Sequence, residues 1–176
     1  MGLALVSRVQ YSTAYYQDFF DYTRLKLGND RIITARPVYT YGYDVGPLVK
    51  EAAFAPREIN WAGWGGDQDA TFDGLRKALL NMYFSAQLGY VAFGSDIGGY
   101  REDDTYPNGR SKEVFIRGAQ LGAFNPVMEN GGGGEHRPWK FDTQTTDVYR
   151  TFVKLHYAIV PYLMAEGPRP SRPRPR

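Results

Sequence analysis

Two aspartates stand in glycine-bearing turns that leave room for a ligand. Asp67 lies in Trp64-Gly65-Gly66-Asp67-Gln68, and Asp96 lies in Gly94-Ser95-Asp96-Ile97-Gly98-Gly99-Tyr100. Paired glycines let a backbone turn tightly before an acid. Trp61 and Trp64 flank the first turn with flat apolar faces. Such faces suit sugar rings, and low local polarity raises a carboxyl toward the working range of a general acid. The same Asp67 also fits a plain turn residue capping the next helix. Asp96 fits either an acceptor for substrate hydroxyls or a turn aspartate. Arg36, at the end of a strand-like run, fits a substrate contact or a structural ion pair. The run Gly131 to Gly134 lacks the Gly-Lys-Ser/Thr ending and following helix of a phosphate cradle. His136 and His156 are the only histidines and there is no cysteine, so neither a metal site nor a disulfide framework is expected.

The elements that must carry these residues follow from periodicity. Leu75, Ala78, Leu79, Met82, Tyr83 and Ala86 recur at helical spacing and predict a central helix with an apolar stripe. Asp69 or Thr71 is placed to cap it, and Gly89 to end it. Further helices are predicted over Tyr11–Leu27, over Ser111 to about Leu121 with Val114, Phe115 and Ala119 inward, and over about Thr146–Ala165, where Pro161 should introduce a kink. Short strand-like runs occupy Arg31–Ala35, Ile59–Ala62, Tyr90–Phe93 and Phe124–Met128. Tyr39 to Arg57 is long for a βα loop and fits either the rim of a substrate site or a surface insertion. The order is one helix and then four βα units, half of the eight that close a (β/α)8 barrel. In such folds the residues after each strand converge on one face, where active sites are built.

Composition narrows the partners. The net charge of +2 comes from the tail, because Pro168 to Arg176 holds four Arg and no acid. Removing those four from 21 basic residues leaves 17 against 19 acidic. The body therefore lacks the basic footprint of a nucleic-acid binder. No apolar run is long enough to span a bilayer, and the first residues lack the basic start of a signal peptide. The Pro/Arg alternation of 168–176 predicts a disordered extended tail behind a domain spanning 1–167.

Four ordered strings carry a resemblance: WGGDQ, GSDIGGY, RGAQLGAFNPVMENGG and RPWKFD. With them the chain resembles the glycoside hydrolase family 31 enzymes, which include α-glucosidases, α-xylosidases and sulfoquinovosidases. The resemblance covers roughly Tyr15 to Met164. It implies an α/β fold, a partial (β/α)8 TIM barrel of about strands five to eight, and retaining α-glycosidase chemistry without a cofactor or metal. It implies Asp67 as the catalytic acid/base, and Arg36, Trp64, Asp96 and Tyr100 as substrate-binding residues. The family's nucleophilic aspartate would lie upstream of this chain, so the chain alone is expected to be inactive. The alternatives are a carbohydrate-binding remnant or a fragment without function. The family's substrate histidine falls near Gly131, and His136, in a glycine-lengthened loop, is the candidate to replace it. Gly118 stands where the family usually has a helix tryptophan. The expected partner is an α-glycoside, not nucleic acid or membrane, with self-association through open barrel edges.

Overall fold

The computed structural model describes residues 8–35, 55–87, 89–90 and 92–167. Helix α1 (Arg8–Leu27) leads to strand β1 (Thr34–Ala35), followed by β2 (Ala62–Trp64), α2 (Phe72–Gln87), β3 (Ala92–Asp96), α3 (Lys112–Gly122), β4 (Val127–Glu129), a 3₁₀ turn at Pro138–Lys140, and α4 (Thr143–Glu166). The strands form one sheet in the order β1-β2-β3-β4, parallel throughout. Consecutive parallel strands with helical crossovers are the repeating unit of α/β barrels. Among the described residues no helix is long and apolar enough to cross a membrane.

Helices α2 and α3 cover one face of the sheet. Phe93 of β3 packs with Ala78 and Met82 of α2 and with Leu121 of α3, so both helices lie on the same side. Ile97, just past β3, packs with Phe115 and Ala119 of α3 and with Met128 of β4. Side chains alternate along a strand, so Gly94, Asp96 and Glu129 fall on the opposite face. Trp64 joins them, because it pairs in register with Gly94.

The strands begin two or three residues further along the chain than the sequence patterns suggest. Their apolar runs begin in the connections that precede them, and pairing starts only where a neighbour is in reach. Trp64 and Asp96 are therefore the last residues of β2 and β3 rather than members of the turns beyond. Helix α4 begins at Thr143, earlier than its periodicity suggests. Asp142 caps it, accepting from the backbone N–H of Thr145 at 2.7 Å. The helix continues through Pro161 to Glu166.

Helix α2 buries a different face from its apolar stripe. Ala78 and Met82 are buried, but Leu79, Tyr83 and Ala86 are exposed, and Asn81 and Ser85 are fully covered instead. The reason lies in the turn after β2. Asn81 Nδ2 donates to the Gly65 carbonyl at 3.1 Å, and Ser85 Oγ donates to the Asn81 carbonyl at 2.8 Å. A buried carbonyl left without a donor costs about 1–3 kcal/mol, which is enough to rotate the helix about its axis. Thr71 is the cap, accepting from Gly74 N–H at 3.0 Å.

Gly118 is demanded by packing. A Cβ there would stand 2.3 Å from the Gly98 backbone nitrogen, so α3 lies directly against the turn after β3. No tryptophan fits this position with the backbone as it stands.

Candidate functional site

Every described site residue singled out in the sequence lies on the side where the strands end. Trp64 closes β2, and Asp67 follows it by three residues. Asp96 closes β3, and Tyr100 follows it by four residues. His136 lies in the loop after β4. Arg36 falls outside the described residues, as do most of the long connection before β2 and the Pro/Arg tail. Trp61 departs from expectation. It precedes β2 and so stands at the opposite end of that strand from Asp67. Its indole N–H donates to the Glu58 carbonyl at 2.8 Å, and the Arg24 guanidinium lies over its ring, 5.2 Å from the centroid.

The Asp67 turn is tight and closely tied to its neighbour. Gly66 has φ +94°, and the Gln68 N–H bonds back to the Gly66 carbonyl at 3.1 Å. The Gly65 N–H reaches across to the Gly94 carbonyl at 2.9 Å. Gln68, next in sequence to Asp67, is the hub. Its backbone carbonyl accepts from both Tyr100 and Arg101 N–H at 2.9 Å, and its side-chain Oε1 accepts from Ser95 Oγ at 2.9 Å. Ala70 N–H returns a bond to the Arg101 carbonyl, and Arg101 Nε reaches Asp69 at 2.7 Å. Gly99 is required here: its φ is +87°, and a Cβ would lie 2.6 Å from the Asp69 carbonyl oxygen. The loops after β2 and β3 thus form one hydrogen-bonded unit that fixes the two acidic turns relative to each other.

Glu129 is a candidate site residue that sequence reasoning missed. It is the last residue of β4, in register with Asp96. Neighbours in register share a face, so two carboxylates stand side by side at the open end of the sheet. Burial alone pushes the Glu129 carboxyl above its usual range. Its signal in the sequence was an acid ending an apolar run, Val127-Met128-Glu129, hidden by the glycine loop that follows.

His136 is engaged by the protein at both ring nitrogens. Nδ1 lies 3.0 Å from Asn130 Oδ1 and 3.3 Å from an Arg110 nitrogen, and Nε2 lies 3.1 Å from the Gly133 carbonyl. Burial first, and then the neighbouring Arg110 charge, hold its pKa below the usual 6.5. His156 is structural, its Nδ1 lying 3.2 Å from the Ala123 carbonyl at the end of α3. No group of three or more potential metal ligands occurs among the described residues.

The arrangement offers a flat ring face at Trp64, an acid in a constrained turn at Asp67, and hydroxyl acceptors at Asp96 and Glu129. The comparisons with known proteins bear on the family and the fold. The family described as "Glycosyl hydrolases family 31 TIM-barrel domain" matches residues 48–166. The 1,3-alpha-isomaltosidase of Kribbella flavida is 28% identical over 156 residues, covering 76% of this chain and 21% of its own. The sulfoquinovosidase of Agrobacterium fabrum is 33% identical over 106 residues, covering 57% of this chain and 16% of its own. A solved structure of the cycloalternan-degrading enzyme from Trueperella pyogenes superposes with a TM-score of 0.65 at 19% identity, covering 90% of this chain and 21% of that chain. This chain therefore spans about a fifth or less of the length of these relatives.

Proposed function

Because the chain belongs to the glycosyl hydrolases family 31 TIM-barrel domain family, we propose that it is the later part of the catalytic barrel of a retaining α-glycosidase, about strands five to eight, with Asp67 as the acid/base. The observation that carries this reading is the placement of Trp64, Asp67 and Asp96 at the ends of adjacent parallel strands, tied together through Gln68. The substrate class is an α-glucoside or a close relative, in keeping with the α-linked sugars named for the curated relatives.

Retaining hydrolysis needs two carboxylates about 5–5.5 Å apart, one acting as nucleophile and one as acid/base. The protonated Asp67 gives its proton to the glycosidic oxygen as the bond to the anomeric carbon breaks. The nucleophilic carboxylate, supplied by barrel outside these 176 residues, bonds to that carbon. Asp67, now ionised, then takes a proton from water. The water oxygen displaces the nucleophile and releases a sugar of retained configuration. No step calls for a metal or organic cofactor.

Trp64 supplies the floor for the sugar ring. Asp96 and Glu129 accept hydrogen bonds from its hydroxyls, and Tyr100 completes the rim; Arg36 enters the reading as a substrate contact from the sequence resemblance alone. His136, with both ring nitrogens already facing protein groups, supports that rim from behind.

The test is Asp67→Ala in the longer protein that carries this segment. Turnover of glycosides with poor leaving groups should fall by about 10²–10⁴-fold, the usual worth of general acid–base catalysis. Aryl glycosides with good leaving groups should suffer less, and azide should partly restore their turnover. Intact turnover in Asp67→Ala would remove the acid/base assignment. The 176 residues alone, lacking the nucleophile, are expected to quench or enhance tryptophan fluorescence with sugar but to hydrolyse nothing. Turnover by the isolated chain at a normal rate would overturn the partial-barrel reading.

A further inference from the structure

The largest fully buried side chain in the described structure is a cation. Arg110 is 1% exposed. It precedes α3, between the loop after β3 and the helix that covers it. One guanidinium nitrogen donates to three successive carbonyls of the loop after β3: Ile97 at 3.5 Å, Gly98 at 3.3 Å and Gly99 at 2.8 Å. The other donates to the Gly133 carbonyl in the loop after β4. The first nitrogen also faces His136 Nδ1 at 3.3 Å, and His136 Nε2 faces Gly133 in turn. Among the described residues no carboxylate lies within ion-pair distance of Arg110. Glu102, Asp96 and Glu135 act on it from further away.

A buried guanidinium stays charged and presents its donors in a fixed planar fork. Carbonyl oxygens from two loops are thus gathered by one rigid group. The backbone around the fork is shaped to meet it. The Gly133 N–H donates to the Tyr100 carbonyl at 2.8 Å. Gly132 has φ +121°, and a Cβ there would stand 2.6 Å from the Tyr100 oxygen. The loop after β4 therefore rests on Tyr100 itself, and Tyr100 is one of the residues assigned to the sugar rim.

We propose that Arg110 is a positioning residue that clasps the loops after β3 and β4 into one rigid wall of the sugar site, setting Asp96, Tyr100 and Glu129 relative to one another. The proposal rests on the glycosidase reading only for what that wall binds. Asp67 is fixed by its own Gly66 turn and through Gln68, by bonds that Arg110 does not make, so the clasp governs substrate binding more than proton transfer. Lysine cannot replace the fork, because an ammonium is a compact point charge that does not span two loops.

Hydrogen exchange on the 176-residue chain tests the clasp without any catalytic assay. In the unmutated chain the amides of Tyr100 and Gly133 should open together, with the same dependence on denaturant. Arg110→Lys and Arg110→Met should speed both by roughly tenfold or more, the equivalent of one charge-assisted hydrogen bond. Opening of the two loops at unrelated rates in the unmutated chain would overturn the clasp, as would quickening of one loop alone. The His136 ring proton adds a readout that a purely structural role would leave alone. Its titration should move up in Arg110→Met, where the charge is gone, and stay nearer the parent's in Arg110→Lys. Equal titration in both variants would overturn the direct Arg110–His136 contact.

In the longer protein, Arg110→Lys should raise KM about tenfold while kcat changes far less, because uniform binding is lost and acid/base chemistry is kept. Unchanged KM would overturn the positioning role. Absence of any glycoside turnover in the parent would remove the glycosidase reading while the exchange result still decided the clasp.

Discussion

Two groups of aromatic side chains in this chain have opposite fates. On α3, Phe115 is fully buried and stacked between Phe141 at 5.0 Å and Tyr149 at 5.6 Å, with the His136 ring edge-on at 6.5 Å. On α1, Tyr11 stacks on Tyr15 at 6.3 Å and Tyr15 meets Phe19 at a tilt at 5.0 Å, yet all three remain exposed. The first group joins three successive elements around the loops of the candidate site. Among the described residues the second group meets only its own helix. Helical spacing makes an aromatic stripe available for packing, and a facing element decides whether it becomes core. The same contrast runs through the sheet. On one side β3 and β4 are braced by α3, α4 and the Arg110 clasp. On the other, β1 is two residues long and α1 presents Tyr22 and Leu25 to solvent.

The largest effect should come from breaking the buried stack. Phe115→Ala is expected to destabilise the chain by about 3–5 kcal/mol, read as a lowered urea midpoint, while Phe19→Ala should stay within about 0.5 kcal/mol. Equal losses at the two sites would erase the contrast. Next in size is Gly118→Ala. Its methyl would meet the Gly98 nitrogen at 2.3 Å, and overpacking of this kind costs about 1–3 kcal/mol. A stabilised Gly118→Ala, as helix propensity alone would give, would show that α3 can move off the turn.

The open side should reveal itself in association rather than stability. In the described sheet β1 and β4 each pair on one side only, and unpaired edges invite other chains. Tyr15→Glu with Phe19→Glu should shift the chain toward monomer in size-exclusion chromatography with light scattering, with little change in melting. A parent chain that is already a stable monomer with a sharp melt would refute the open-edge account.

The smallest effect is a pH dependence. The Glu129 carboxyl is raised by burial, so the folded state holds its proton more tightly than the unfolded state does. Ionising it therefore weakens the fold as pH rises through and above the ordinary carboxyl range, and acid relieves that penalty. Glu129→Gln should raise the melting temperature at pH 7 and leave it nearly unchanged near pH 4, while weakening sugar binding. A Glu129→Gln variant with no pH-dependent gain would place that carboxylate in water.

The sequence by itself determined the element order, the helix types and the acidic turns, because these rest on local spacing and glycine punctuation. It placed Trp64, Asp67, Asp96 and Tyr100 beyond or at the ends of strands, and α3 with Ser111 as its cap and Val114, Phe115 and Ala119 inward. It did not determine which face of α2 is buried, because that depended on a Gly65 carbonyl sixteen residues earlier, which Asn81 reaches. It could not separate Trp61 from Trp64, three positions apart, because one short strand carries them to opposite ends. Gly118 read only as the absence of a helix tryptophan, and its necessity appears where α3 meets Gly98. Glu129 carries only a faint local signature, an acid ending a short apolar run, and Arg110 carries none. One gained its neighbour Asp96 through strand register, and the other gathered carbonyls from two loops more than thirty residues apart. Periodicity is a property of neighbours in the chain, whereas register and buried hydrogen-bond partners exist only once distant segments have met.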